Sequence, residues 1–163
     1  MSVPAIIPIA HAPEHCTRTI GRFAAGQFLA SVTYGFPDGF ALSKGWEAQK
    51  RLYTVLHTFD DEGAHTGSDI WCAGTWAEQR DPGRAGPSPL SLAQQRLDGL
   101  LSALPDLQYG DIAIRPFRVV QDDVVFGLVT ECHSDDETGP DDWAELCPDQ
   151  LGFSAPWDGT YDT

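Results

Sequence analysis

Histidine and cysteine, the side chains that zinc prefers, stand close together at two places in the sequence. His11, His15 and Cys16 lie near the N-terminus, and Cys132 is followed directly by His133. A structural zinc site needs four such ligands in a tetrahedral arrangement. Neither group supplies four, and the sequence contains no Cys-x-x-Cys pair that would complete one. We therefore expect surface histidines and unreactive thiols, and we predict no bound metal and no cofactor.

An acidic segment near the C-terminal end shares part of the spacing of a calcium-binding EF-hand loop. Counted from Ser134, the loop would have Asp136 at its third position, Gly139 at its sixth and Glu145 at its twelfth. Its first position, however, is serine rather than aspartate. An EF-hand loop also follows a helix, whereas residues 124–130 have the pattern of a strand. We interpret the segment as a solvated acidic loop.

A thiol and an imidazole, His57 and Cys72, lie on the two arms of one predicted hairpin. Nucleophilic cysteines need a lowered pKa and a third group that orients the base. Their neighbours Trp71, Ala73 and Phe59 instead indicate the core of a sheet. The sequence has no Gly-x-Ser-x-Gly elbow and no phosphate-binding glycine loop. We therefore predict a buried thiol beside a core histidine, and no catalytic residues.

The elements that position these side chains are mostly strands. The predicted elements are hairpins over 17–34, 52–76 and 112–130 and a helix over 91–104. Residues 52–59 are apolar on both faces, which predicts a central strand, and Ser91 is the predicted N-cap of the helix. Gly99 is expected to let that helix pack closely on the sheet. This order predicts an α+β fold, an antiparallel sheet built from three hairpins with one main helix on one face.

The C-terminal part of the chain combines acidic and aromatic residues. Residues 119–163 contain no Lys or Arg, yet they include Trp143, Phe153 and Trp157. We predict one domain over 1–163, with a mobile proline-rich linker at 78–90 and an acidic segment at 131–163 that the aromatic residues anchor to the body. The predicted binding surface is an exposed anionic patch formed by Asp135, Asp136, Glu137, Asp141 and Asp142.

Charge limits the partners of this protein. The chain has 24 acidic and 10 basic residues among 163, which gives a net charge of -14. Nucleic acid and anionic membrane surfaces are polyanions, so we predict that neither is a partner and that a basic protein is. The N-terminus lacks the pattern of a signal peptide, and four scattered cysteines form no disulfide framework, so we expect a cytoplasmic protein. The oligomeric state is left open.

Several stretches taken together are similar to a known group of proteins. They are GRFAAGQFLASV (21–32), YTVLHTF (53–59), GSDIW (67–71), YGDIAIRPF (109–117), VVFGLV (124–129) and the ending LGF-x2-PWDGTYDT. The chain resembles small bacterial proteins described as formate hydrogenlyase regulatory protein-like. This resemblance covers most of the chain and implies a single compact domain and a regulatory role. It supplies no catalytic residues.

Three functions are compatible with these observations. The leading hypothesis is a non-enzymatic acidic protein-binding domain, such as an immunity or antitoxin-like inhibitor of a basic toxin, because clustered carboxylates speed association with a cationic partner. The second is a small enzyme or ligand-binding domain with a pocket between sheet and helix. The third, which the resemblance implies, is a regulatory subunit.

Overall fold

The computed structural model describes residues 3–37, 45–131, 143–154 and 156–161. These residues form an α+β fold of antiparallel strands with one main helix, which confirms the predicted class. The strands are β1 (Ile7–Ile9), β2 (Ile20–Phe23), β3 (Gly26–Gly35), β4 (Arg51–Phe59), β5 (His65–Thr75), β6 (Gln108–Tyr109), β7 (Ile112–Ile114), β8 (Phe117–Gln121), β9 (Val124–Glu131), β10 (Trp143–Cys147) and β11 (Leu151–Phe153). The helices are α1 (Trp76–Gln79) and α2 (Pro89–Ser102), and a 3-10 turn covers Trp46–Ala48.

The three predicted hairpins are present as β2–β3, β4–β5 and β8–β9. The third is shorter than predicted, because residues 112–114 pair with β1 instead of β9. Within the described residues they are divided between two sheets, one of five strands in the order β5-β4-β3-β2-β6 and one of four in the order β11-β10-β9-β8. Strand β1 pairs separately with β7. The third hairpin belongs to the four-stranded sheet, where β9 has β10 as its second neighbour. Strand β4 lies between β3 and β5, as its two apolar faces predict.

The two faces of β4 are buried against different layers. On one face Tyr53 and Val55 pack with Val124 and Phe126 of the four-stranded sheet. On the other face Leu56 belongs to the apolar cluster that includes Leu97 of α2. The five-stranded sheet is therefore the middle layer of three, with α2 on one side and the four-stranded sheet on the other.

The start of the main helix differs from the prediction. Its N-cap is Ser88, whose hydroxyl accepts a hydrogen bond from the backbone N–H of Ser91. Proline at the first position favours this earlier start, because its fixed φ suits a helix and it has no N–H to satisfy there. Gly99 is exposed, and a Cβ placed there would touch nothing within 4 Å, so it does not bring the helix close to the sheet. The close approach is made at Ala93, whose carbonyl accepts a hydrogen bond from Thr54 Oγ1.

The C-terminal segment joins the body as predicted, and it does so as strands. Phe153 is buried in the main core, and Trp157 packs against the same core, so two of the predicted aromatic anchors are in place. Trp143 is half-buried at the start of β10. Among the described residues, no helix is long and apolar enough to cross a membrane.

Candidate functional site

The predicted metal ligands at the N-terminus do not form a ligand set. His11 uses its ring Nε2 in a hydrogen bond with the carbonyl of Arg18 at 2.9 Å. His15 and Cys16 are exposed. Over the described ranges, no three His, Cys, Asp or Glu side chains are arranged to hold a metal ion. Cys132 and His133 lie outside these ranges.

The predicted anionic patch also lies outside the described residues. This holds for all five of its members, Asp135, Asp136, Glu137, Asp141 and Asp142. Of the EF-hand spacing, only Glu145 is described, and it lies on β10. The patch therefore remains a prediction from the sequence.

His57 and Cys72 do not pair with each other. The register of β4 and β5 places His57 opposite Ser68 and Cys72 opposite Tyr53. Burial raises the pKa of the Cys72 thiol, whose Sγ lies 3.7 Å from the carbonyl oxygen of Gly74. Cys72 is thus a half-buried thiol of the sheet, and the prediction that it lies beside His57 is wrong.

A cleft of about 720 Å³ opens beside β3. Its size is within the range of pockets that hold small ligands or side chains. One wall is the N-terminal loop, with His15, Cys16 and Arg18 among its residues. The floor includes Ser31 and Val32 of β3. The remaining lining comes from α2 and from the C-terminal segment.

The cleft exists because β2 covers only the first half of β3. The ladder between them ends at the pair Ile20 and Leu29. Beyond this pair, the Ala30 N–H donates to the Thr19 carbonyl at 3.0 Å, and Thr19 Oγ1 donates back to the Ala30 carbonyl. The preceding chain then turns away, and Thr17 Oγ1 donates to the carbonyl of Ala10. From this point β3 has a neighbouring strand on one side alone, β4, within the described chain.

The second half of β3 therefore presents an open strand edge. In an antiparallel ladder, successive residues direct their N–H and C=O groups to opposite sides. Since Ala30 directs these groups away from β4, Val32 and Tyr34 do the same. No backbone group in the described part of the chain pairs with either residue on that side. Such an edge is a template for another strand.

A carboxylate without a cationic partner lies in the wall of the same cleft. Asp149, in the turn between β10 and β11, is half-buried and accepts a hydrogen bond from Thr33 Oγ1. Burial raises the pKa of Asp149, and the Thr33 hydrogen bond opposes part of that rise. The ion pairs formed among the described residues involve other carboxylates, and Arg18, which also lines the cleft, forms none with Asp149.

This edge and Asp149 were not singled out in the sequence. The alternation over 17–23 and 28–34 predicts two strands of similar length, which leaves no part of β3 uncovered. At the end of β2 the Thr19 hydroxyl donates to the Ala30 carbonyl, in the place where a continued ladder would use a backbone N–H. Asp149 reads as one of many acids in the C-terminal segment.

No family model, curated protein or solved structure matches the chain. The similarity to formate hydrogenlyase regulatory-like proteins therefore stays a prediction from the sequence.

Proposed function

We propose that the protein is a binding domain that adds an extended segment of a basic partner protein to the open edge of β3. The observation that supports this proposal is that one cleft contains both Val32, where the unpaired strand edge begins, and the uncompensated carboxylate of Asp149. An inhibitor of the immunity or antitoxin type, which must capture a basic toxin, would use such a surface.

The strand edge supplies the affinity for a backbone. The N–H and C=O of Val32 and the N–H of Tyr34 are aligned for a strand added alongside β3. In this mode of recognition the main-chain hydrogen bonds hold the segment, and pockets beside the edge select its side chains. The cleft floored by Ser31 and Val32 is placed to receive one of those side chains.

The carboxylate supplies the preference for a basic side chain. A partly buried charge is unfavourable until it is paired, and a Lys or Arg entering the cleft would pair with Asp149. The net charge of -14 would steer such a partner toward the protein before contact. The patch predicted from the sequence, Asp135, Asp136, Glu137, Asp141 and Asp142, would add to this steering.

The test measures the binding of fluorescent, extended peptides to the protein by fluorescence anisotropy. In the peptide set, Lys, Arg, Asp or Ala is placed at one position at a time. We expect that peptides with Lys or Arg at one particular position bind more tightly than those with Asp or Ala there, and that added salt reduces this difference. Asp149→Asn should remove this preference, a change of about tenfold if a charge-assisted hydrogen bond is lost.

Val32→Pro tests the backbone contacts, because it removes an edge N–H that β4 does not use. Proline is tolerated on an edge strand when its nitrogen faces away from the ladder. We expect about fivefold weaker binding of every peptide, the effect of one lost hydrogen bond of about 1 kcal/mol. Val120→Pro is the matched control, since Val120 is 54% exposed and its N–H points away from β9 at the edge of the other sheet. Equal binding by the two proline variants and the unchanged protein would contradict the proposal.

A further inference from the structure

A serine hydroxyl on β5 is hydrogen-bonded to two imidazole rings. Ser68 Oγ lies 2.6 Å from Nδ1 of His57 and 2.7 Å from Nε2 of His65. Ser68 is exposed, whereas His57 is 1% exposed and His65 is half-buried. Both rings contact Phe117, at centroid distances of 4.8 Å for His57 and 4.7 Å for His65. The rings are thus held in place, while Ser68 is an exposed residue of the strand.

An irregularity in the ladder brings these groups to one face. His65 and Ser68 are three residues apart, so a regular strand would direct them to opposite faces. The register of β4 and β5 shifts between Thr58 and Phe59, which places Phe59 opposite His65 and His57 opposite Ser68. This shift returns the His65 ring to the side of Ser68. Bulges that re-aim side chains in this way are common beside active sites.

The proton arrangement gives the two imidazoles different roles. A serine has one hydroxyl proton, so it donates to one ring and accepts an N–H from the other. Burial, aided by the nearby His65, lowers the pKa of His57 to about 3, which keeps this ring neutral. His65 is the more exposed of the two rings, and its Nε2 lies 2.7 Å from the Ser68 hydroxyl oxygen. A general-base role for His65 requires that His57 donates its Nδ1–H to the hydroxyl oxygen and that the hydroxyl donates to Nε2 of His65.

We propose that Ser68 is a nucleophile that is acylated by activated carboxylic esters, with His65 as its general base. Ser68 Oγ forms a bond to the carbonyl carbon of the ester, and its proton moves to Nε2 of His65. The bond from that carbon to the leaving oxygen breaks, and the leaving group takes the proton from His65. Water then attacks the acyl-serine, returns a proton to Ser68 through His65, and releases the carboxylic acid. This activity goes beyond the proposed binding function and would overturn the expectation that the chain has no catalytic residue.

The test is covalent labelling of the full chain with a fluorophosphonate, which forms a stable Ser Oγ–phosphorus bond and releases fluoride. Free imidazoles also hydrolyse reactive esters, so the labelled residue is identified by peptide mass spectrometry. Ser91, an exposed serine of α2, is the internal control. A positioned general base accelerates attack by about 100-fold or more, so we expect Ser68 to be labelled at least that much faster than Ser91.

Two variants then test whether His65 is the general base and whether Ser68 is the residue that is acylated. His65→Gln should lower the labelling rate of Ser68 to nearly that of Ser91, and Ser68→Ala should abolish both the label and the burst of p-nitrophenol from p-nitrophenyl acetate. Circular dichroism shows whether each variant is folded. Equal labelling of Ser68 and Ser91 in the unchanged protein would overturn the proposal without any variant. So would a folded His65→Gln protein that labels at the original rate.

Discussion

Acid should destabilise this protein through one buried imidazole, that of His57. The ring lies between the sheets, with Phe117 at 4.8 Å and His65 at 6.1 Å between ring centroids. Burial is the main cause that lowers the pKa of His57 from 6.5 to about 3, and the charge of His65 is the second. The folded protein therefore keeps His57 neutral at pH values where the unfolded chain binds a proton.

The sign and size of the effect follow from linkage. Between the folded pKa of about 3 and the unfolded pKa of 6.5, the unfolded state holds more protons, so the free energy of unfolding decreases as the pH falls. The slope approaches about 1.4 kcal/mol for each pH unit. From pH 7 to pH 5 the loss due to His57 is about 2 kcal/mol, because the first half unit lies above the unfolded pKa.

The assay is urea unfolding at pH 7, 6 and 5, followed by circular dichroism, for the unchanged protein and for His57→Gln. Glutamine does not titrate, and its amide can still hydrogen-bond to Ser68. All carboxylates are present in both proteins, so their titration cancels in the difference between the two free energies. We expect this difference to shift by about 2 kcal/mol in favour of the variant between pH 7 and pH 5. A difference that does not change with pH would refute the reasoning.

Three further predictions concern stability. Gln27 is fully buried, and its amide makes three hydrogen bonds to backbone groups at 2.8 to 3.0 Å. Gln27→Leu should therefore lower the free energy of urea unfolding by about 3 kcal/mol. The control Gln95→Leu, at an exposed position, should change it by less than about 0.5 kcal/mol. Gly127→Ala should lower the melting temperature because φ is 135° and the new Cβ would lie 2.2 Å from a backbone oxygen, while Gly99→Ala should add about 1 kcal/mol of stability. Asp149→Asn should raise the melting temperature at pH 7, since burial raises the pKa of Asp149 and so disfavours its charged form, and the gain should vanish in acid that protonates the carboxyl.

The hairpins and the central strand were predictable because their signals are local. Each signal lies within a few residues of sequence: the alternation over 17–34, the apolar faces of residues 52–59 and the two aspartates at the β8–β9 turn. The C-terminal strands β10 and β11 were missed because their acidic residues hide a short buried alternation, in which Ala144, Leu146 and Leu151 face the core. Their pairing with β9 is a long-range contact that no local pattern specifies.

The candidate sites were less predictable than the fold, since both depend on where strand pairing is interrupted. A two-residue period places His65 and Ser68 on opposite faces, and only the register shift at Thr58 and Phe59 joins them. The sequence indicates His57 as a candidate residue and predicts Cys72 as its neighbour, because both lie on one hairpin. The register of β4 and β5, which the sequence does not specify, places Ser68 opposite His57 instead.

These two interruptions lie on opposite sides of β4 in the same sheet, and this gives the two proposed sites a common structural basis. Strand β4 pairs with β3 on one side and with β5 on the other, so it is the strand common to both sites. On one side of it, β3 loses its outer neighbour after Ala30 and presents the open edge to which the proposed function assigns the partner. On the other side, β5 is an edge strand whose bulge turns an imidazole toward an exposed hydroxyl. Because the sites share only β4, Val32→Pro should leave the labelling of Ser68 unchanged, and Ser68→Ala should leave peptide binding unchanged. A change in either would show that the two edges are coupled through the sheet.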